Sequence, residues 1–326
     1  MHRFRFAFDA MGSPNEIQLW AVTEARARAA AGAAIADVAR IEAKYSRYRD
    51  DSVTARINRG AGGATVAIDV ETAALLRYAD RCHALSGGRF DLTSGALRRV
   101  WDFRATPRLP DAPALAGALA CIGWDEVAWD DASIRLPRAE MEIDFGGIGK
   151  EYAADRAAAV CLEQGIGHGL VNLGGDVRVI GPQPGGAPWR VGIRHPRAGA
   201  AAQAIAGVDL AAGAVATSGD YERSFEIDGV RYSHVLDART GWPVRHWASV
   251  SVIAPVCVVA GSCATIAMLL EGEALAFLRS QGLSHLAVAA DGTLHGDARA
   301  TAPPDPARRA RGTGSTVRRG GQAKTR

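Results

Sequence analysis

Residues 141–164 read MEIDFGGIGKEYAADRAAAVCLEQ: a short apolar run, three glycines within four positions, then an alanine-rich stretch with helical spacing. The pattern predicts a strand over 141–145, a glycine loop that places Lys150 in the first turn of a helix, and a helical body over Tyr152–Gln164. The next segment, LVNLGGDVRVIG (170–181), reads as two strands around a Gly174-Gly175 turn. A hairpin directly after a strand–loop–helix unit points to α+β organisation rather than a regular doubly wound sheet.

Working outward, the chain opens with FRFAF, an MGSPNE turn and IQLWAV, which reads as strand, loop and strand. Thr23 and Glu24 suit the start of a long helix over 24–44 with Ile35, Val38 and Ile41 on one face. Residues 45–58 (YSRYRDDSVTARIN) read as a polar loop entering a short helix, and Glu71–Leu85 as another helix ending at Gly87-Gly88. On the C-terminal side, WRVGIRHP and AIAGVDLAAGAVATSG continue the strand pattern, and Asp228-Gly229 signals a hairpin. A strand over 249–254 is expected to run through Pro255 into a buried helix over 258–271. A further helix near 273–281 and a strand at 285–290 follow.

Of 326 residues, 48% are hydrophobic and 22% charged, the balance of a globular protein with a sizeable core. The net charge of +3 hides an uneven distribution. Residues 301–326 carry seven basic residues and one acid, which leaves the first 300 residues at −3. No nucleic-acid-binding body is indicated, and the chain divides into a 1–300 domain and a basic, disordered tail over 301–326. The five cysteines are odd in number and form no C-x-x-C pair, so neither a disulfide framework nor a zinc site is signalled. Residues 248–270 are apolar enough to suggest a membrane span, but Pro255, Gly261 and the hydroxyl residues favour a buried strand and helix. The N-terminal segment lacks a secretory h-region with a cleavage site, so a cytoplasmic protein is expected.

Four clusters suit chemistry. In Asp144–Lys150, backbone N–H groups at a helix N-terminus and a lysine suit a phosphate, although the glycines equally suit a plain strand-to-helix turn. In Arg89-Phe90-Asp91, an aromatic beside an acid suits a planar heterocycle, or a loop that Phe90 anchors and Asp91 caps. His234, near Asp237 and Arg239, suits a general base or a merely hydrogen-bonded strand histidine. Thr265, in AGSCATIAMLL, offers a hydroxyl to a hard cation on a helix whose small residues equally suit tight packing.

Taken in order, Met11-Gly12, YSRYRDDSVTARIN, GGRFDLTSGALRRVWDF, EIDFGGIGKEYAADR, LVNLGGDVRVIG, VATSGDYERSF, YSHVLDARTGWPV and AGSCATIAMLLEG resemble the ApbE family of FAD:protein FMN transferases. The resemblance implies a single α+β domain with mixed or antiparallel sheets and packed helices, holding FAD in an elongated cleft. It carries FAD contacts to Met11, Tyr48, Arg89, Phe90, Asp91, Asp144, Lys150 and Val235, and the base to His234. It places Mg²⁺ at the Gly147 carbonyl, Thr265 and the position of Gly261, where the family has an aspartate. Another acid, such as Asp176 or Asp220, would then have to supply the missing charge. The reaction implied is transfer of FMN from FAD to a threonine of a target flavoprotein, with release of AMP. An FAD-binding protein without transfer activity, or an FAD pyrophosphatase, are the alternatives.

Overall fold

The computed structural model describes residues 1–197 and 204–296. Its central sheet has eight strands lying side by side in the order in which the chain makes them. They are β1 (His2–Ala10), β2 (Ser13–Ala21), β3 (Gly169–Leu173), β4 (Asp176–Gly181), β5 (Ala214–Gly219), β6 (Trp247–Ala254), β7 (Ser284–Ala289) and β8 (Leu294–Gly296). Every neighbouring pair is antiparallel. Each long excursion is therefore an insertion between adjacent strands, and the α+β architecture expected from the sequence holds.

Between β2 and β3 the chain forms α1 (Glu24–Tyr45), α2 (Val53–Arg59), α3 (Val70–Leu85), α4 (Ala112–Leu119) and α5 (Gly149–Glu163). Helices α6 (Cys257–Leu270) and α7 (Ala274–Ser280) join β6 to β7. Thr23 and Asp69 start α1 and α3 by accepting the N–H groups of Arg26 and Thr72 at 3.3 and 2.9 Å. Ala27, Ala30, Ala31 and Ala34 of α1 are buried, as are Ala153, Ala154, Ala157 and Ala158 of α5. These small side chains bring the two helices close on one face of the sheet, where α6 packs beside α5 and against β5 and β6.

The opposite sheet face is covered by the hairpin of Trp189–Arg194 and Ala204–Leu210. Alternation along β5 divides the two layers: Ala214 and Ala216 face the helices, and Val215 faces the hairpin. A separate aromatic cluster stacks Trp101 on Phe103 and Tyr232, at centroid distances of 5.9 and 6.0 Å. The Trp101 indole N–H donates to the Gly241 carbonyl at 2.8 Å, which ties the 95–103 loop to the segment that carries His234.

One local expectation is corrected. Residues 141–145 form no ladder strand, only an isolated bridge between Ser94 and Glu142. The Asn58 side chain takes the partner strand's place, donating to the Ile143 carbonyl at 3.0 Å and accepting its N–H at 2.8 Å. The strand expected over 249–254 ends where expected, at Ala254, because Pro255 lacks the N–H a ladder needs. The stretch Cys257–Ser280 is long and apolar enough to cross a membrane, yet eleven residues of α6 are buried inside the fold. All five cysteines are free and buried. The tail over 301–326 and the last residues of the expected 1–300 domain lie outside the described residues.

Asp155 on α5 fixes where α6 begins. Its carboxylate accepts the N–H groups of Cys257 and Val258 at 2.8 and 2.9 Å and pairs with Arg178 at 2.9 Å. Replacing Asp155 with alanine strips the cap and leaves Arg178 with its two carbonyl acceptors, Val179 and Gly213, but no carboxylate, so a loss of about 2 kcal/mol is expected in urea denaturation. A loss below about 0.5 kcal/mol would show that α6 is held by packing alone.

Candidate active site

The glycine loop is held by contacts within the fold. Asp144 donates its N–H to the Leu92 carbonyl at 2.9 Å and accepts the Gly146 N–H on Oδ1 at 2.9 Å. Its other oxygen pairs with Arg47. A Cβ on Gly147 would lie 3.0 Å from the Phe90 ring, so the loop rests directly on that ring. Asp91 accepts the Thr93 N–H at 2.7 Å and the Trp124 N–H at 3.1 Å. Phe90 and Asp91 are each only 7% exposed. Phe90 therefore forms the floor under the glycine loop, and Asp91 fixes the loop that follows it. Arg89 faces Asp237 at 3.5 Å, and its carbonyl accepts the Ala238 N–H at 3.3 Å, joining this floor to the 232–244 segment.

Tyr48 stands at the rim, 65% exposed. The guanidinium groups of Arg47 and Arg104 lie 5.0 and 5.8 Å from its ring centroid, and Arg47 donates to its hydroxyl at 2.9 Å. Met11 occupies the β1–β2 turn with φ +54°, a left-handed conformation that is costly for a side chain of this size. Glu42 fixes it by accepting the Met11 N–H at 2.6 Å. A Cβ on Gly174 would meet Ser13 Oγ at 2.8 Å and the Lys150 stem at 3.6 Å. The Met11–Ser13 turn, the Gly174-Gly175 turn and Lys150 therefore converge.

Lys150 Nζ lies 2.6 Å from Asp176 Oδ2. Burial opposes the lysine's charge, but the Asp176 carboxylate outweighs it and holds the ammonium protonated. Asp176 also accepts the Thr217 N–H at 3.1 Å. Glu151 follows Lys150 and is buried, and its Oε2 finds no hydrogen-bond partner. Burial first, and then the Asp176 charge, push its carboxyl up to about 8.

Glu151 lies against Gly261 on α6: a Cβ there would sit 2.4 Å from Glu151 Cγ and 2.7 Å from Oε1. One turn further along α6, the Thr265 hydroxyl is 2.7 Å from Ser218 Oγ. Ser262 is turned away, at 2.6 Å from the Tyr78 hydroxyl. Of the two acids the sequence offered in place of an aspartate at 261, Asp176 is engaged by Lys150 and Asp220 by Arg197 at 2.8 Å. Among the described residues no three His, Cys, Asp or Glu side chains converge as a metal site. A carboxyl with one orphaned oxygen, together with hydroxyl and carbonyl oxygens, nevertheless fits a hard cation that retains several waters.

His234 follows the hairpin of Ser224–Ile227 and Val230–Ser233. Its N–H donates to the Arg223 carbonyl at 3.0 Å, and its ring Nδ1 is buried without a partner. Burial, Arg223 and Lys150 lower its pKa to about 4, so the ring is neutral at pH 7. The Lys150 charge reaches His234, which places the histidine and the glycine loop in one electrostatic field. Val235 beside it is buried, with its carbonyl accepting the Val244 N–H at 3.0 Å.

Sequence reasoning missed Glu151, Arg47 and Arg223. An acid in the first turn of a helix is ordinarily a solvated dipole partner, so nothing in the local sequence marks Glu151 as buried.

The sequence pattern of the ApbE family matches residues 11–288. An FAD:protein FMN transferase from Vibrio cholerae is 32% identical over 235 residues, covering 71% of this chain and 70% of that protein. One from Klebsiella pneumoniae is 32% identical over 292 residues, covering 86% and 83%. Among solved structures, the ApbE protein of Thermotoga maritima superimposes with a TM-score of 0.83 at 33% identity. That match covers 91% of this chain and 97% of the other.

Proposed function

Because the chain belongs to the ApbE family, we propose that it is an FAD:protein FMN transferase whose acceptor is a threonine hydroxyl of a target flavoprotein. The hydroxyl oxygen attacks the phosphorus of the FMN half of FAD. A new P–O bond forms, the bond to the bridging oxygen breaks, and AMP leaves with that oxygen. The hydroxyl proton passes to neutral His234. The observation that carries this reading is the unpartnered, buried Nδ1 of His234 in the field of Lys150.

The glycine loop and Lys150 would face the pyrophosphate, with Tyr48 and Met11 at the rim beside the rings. Since Asp176 already compensates Lys150, the lysine alone brings little net positive charge to a dianion. This favours dependence on a divalent cation, Mg²⁺, held through Thr265, the Gly147 carbonyl and a carboxylate. When bound, it would neutralise charge on the phosphates.

The test mixes the full chain with FAD, Mg²⁺ and a target fragment bearing the threonine. The expected products are a covalent fragment–FMN adduct and an equal amount of AMP. FMN and AMP without adduct would instead identify a pyrophosphatase, and unchanged bound FAD a binder.

A further inference from the structure

The acids around the glycine loop are nearly all compensated within the fold. Asp144 is paired with Arg47 and Asp176 with Lys150. Asp155 is held by Arg178 and two N–H groups of α6, and Asp220 by Arg197. Glu151 is the exception: among the described residues no salt bridge reaches it, and its Oε2 is buried without a hydrogen-bond partner. A side chain with that deficit needs a positive ligand or a proton.

Its position says which ligand. Glu151 reaches from α5 across to α6 and fills the space that any side chain at 261 would occupy, with Oε1 2.7 Å from the Cβ position there. An aspartate at 261 would carry its carboxyl one bond beyond that Cβ, in the same shell. Gly261 and Thr265 are four residues apart on α6 and so share a face, with the Thr265 hydroxyl one turn along.

We propose that Glu151 supplies the carboxylate of the divalent-cation site in this chain, delivered from α5 over the glycine at 261, with Thr265 as its neutral partner. Glycine at 261 is then a requirement of the arrangement, because any Cβ would collide with the Glu151 stem. The departure at 261 is a relocation of the charge to a neighbouring helix. The proposal rests on the reading above that the site takes a divalent cation.

The test uses Mn²⁺ as the probe, titrated into the full chain with FAD present and read by the electron paramagnetic resonance of the free ion. Glu151→Gln is expected to weaken Mn²⁺ binding by about tenfold or more. The exchange Glu151→Gly with Gly261→Asp is expected to restore it to within about threefold of the parent. Thr265→Ala, which leaves Glu151 packed as it is, reads the same site from its other ligand and is expected to weaken binding severalfold. If melting curves in metal-free buffer show Glu151→Gln to be misfolded, the exchange variant decides the matter, and its failure to restore binding overturns the proposal. Unchanged Mn²⁺ affinity in the folded variants overturns the proposal. FAD binding at saturating Mn²⁺, followed by flavin fluorescence, separates the two claims. No FAD binding by the parent chain overturns the transferase reading, whereas FAD bound with Mn²⁺ affinity insensitive to Glu151 overturns this proposal alone.

Discussion

Replacing His234 with glutamine is expected to lower FMN transfer by about 10²- to 10⁴-fold, the usual range for loss of a general base, while FAD binding changes little. The expectation rests on a ring whose Nδ1 is buried, unpartnered and free to accept a proton. Its pKa near 4 follows from burial and from the Arg223 and Lys150 charges. The basic form is therefore complete at pH 7. The His234 limb of the kcat/KM profile should lie near pH 4, well below the ordinary histidine value of about 6.5.

The same shift makes a stability prediction. His234 takes up a proton more readily in the unfolded chain, so its contribution is fully present above about pH 6.5. It is lost as the pH falls toward 4, to a total on the order of 3 kcal/mol. Urea denaturation of the parent and the His234→Gln protein across that window measures it. Equal pH slopes in the two proteins, together with transfer reduced less than about threefold, would remove His234 from the role of base.

Replacing Lys150 with methionine should cost about 3 kcal/mol of stability. The ammonium is the sole salt-bridge partner of Asp176 among the described residues, and Asp176 is only 2% exposed. Without it the Asp176 carboxylate keeps only the Thr217 N–H. Removing one member of a buried pair typically costs 3–5 kcal/mol, and the partial exposure of the lysine side chain places the expectation at the lower end. Adding Asp176→Asn to the methionine variant should recover more than half of the loss, because the uncompensated charge is then gone. If the single variant loses less than about 1 kcal/mol, the Lys150–Asp176 pair is not a structural element and the lysine is free to serve the ligand alone.

How much was legible follows from the range of each interaction. The start of α1 was readable because Thr23 caps an N–H group three residues away. The hairpin at 228–229 was readable because its turn needs left-handed backbone, and Asp228 and Gly229 adopt φ +51° and +74°. The strand expected over 141–145 failed for the opposite reason: its hydrogen-bond partner is the side chain of Asn58, about 85 residues away. Phe90 and Asp91 were read as possible ligand contacts; the packing of Phe90 against Gly147 and of Asp91 against Trp124 depends on residues arriving from later in the chain.

By itself, then, the sequence determined most of the helices and sheet strands, the α+β class and the candidate loop, because helix periodicity, strand alternation and turn chemistry act over a few residues. Only the tertiary structure decided which charges are spent and which remain. Asp176 compensates Lys150, Arg197 holds Asp220, and Glu151 stands uncompensated over Gly261. The physical reason is that burial and Coulombic pairing depend on distance in space, and residues 151 and 261 are brought together by two helices packed on one sheet.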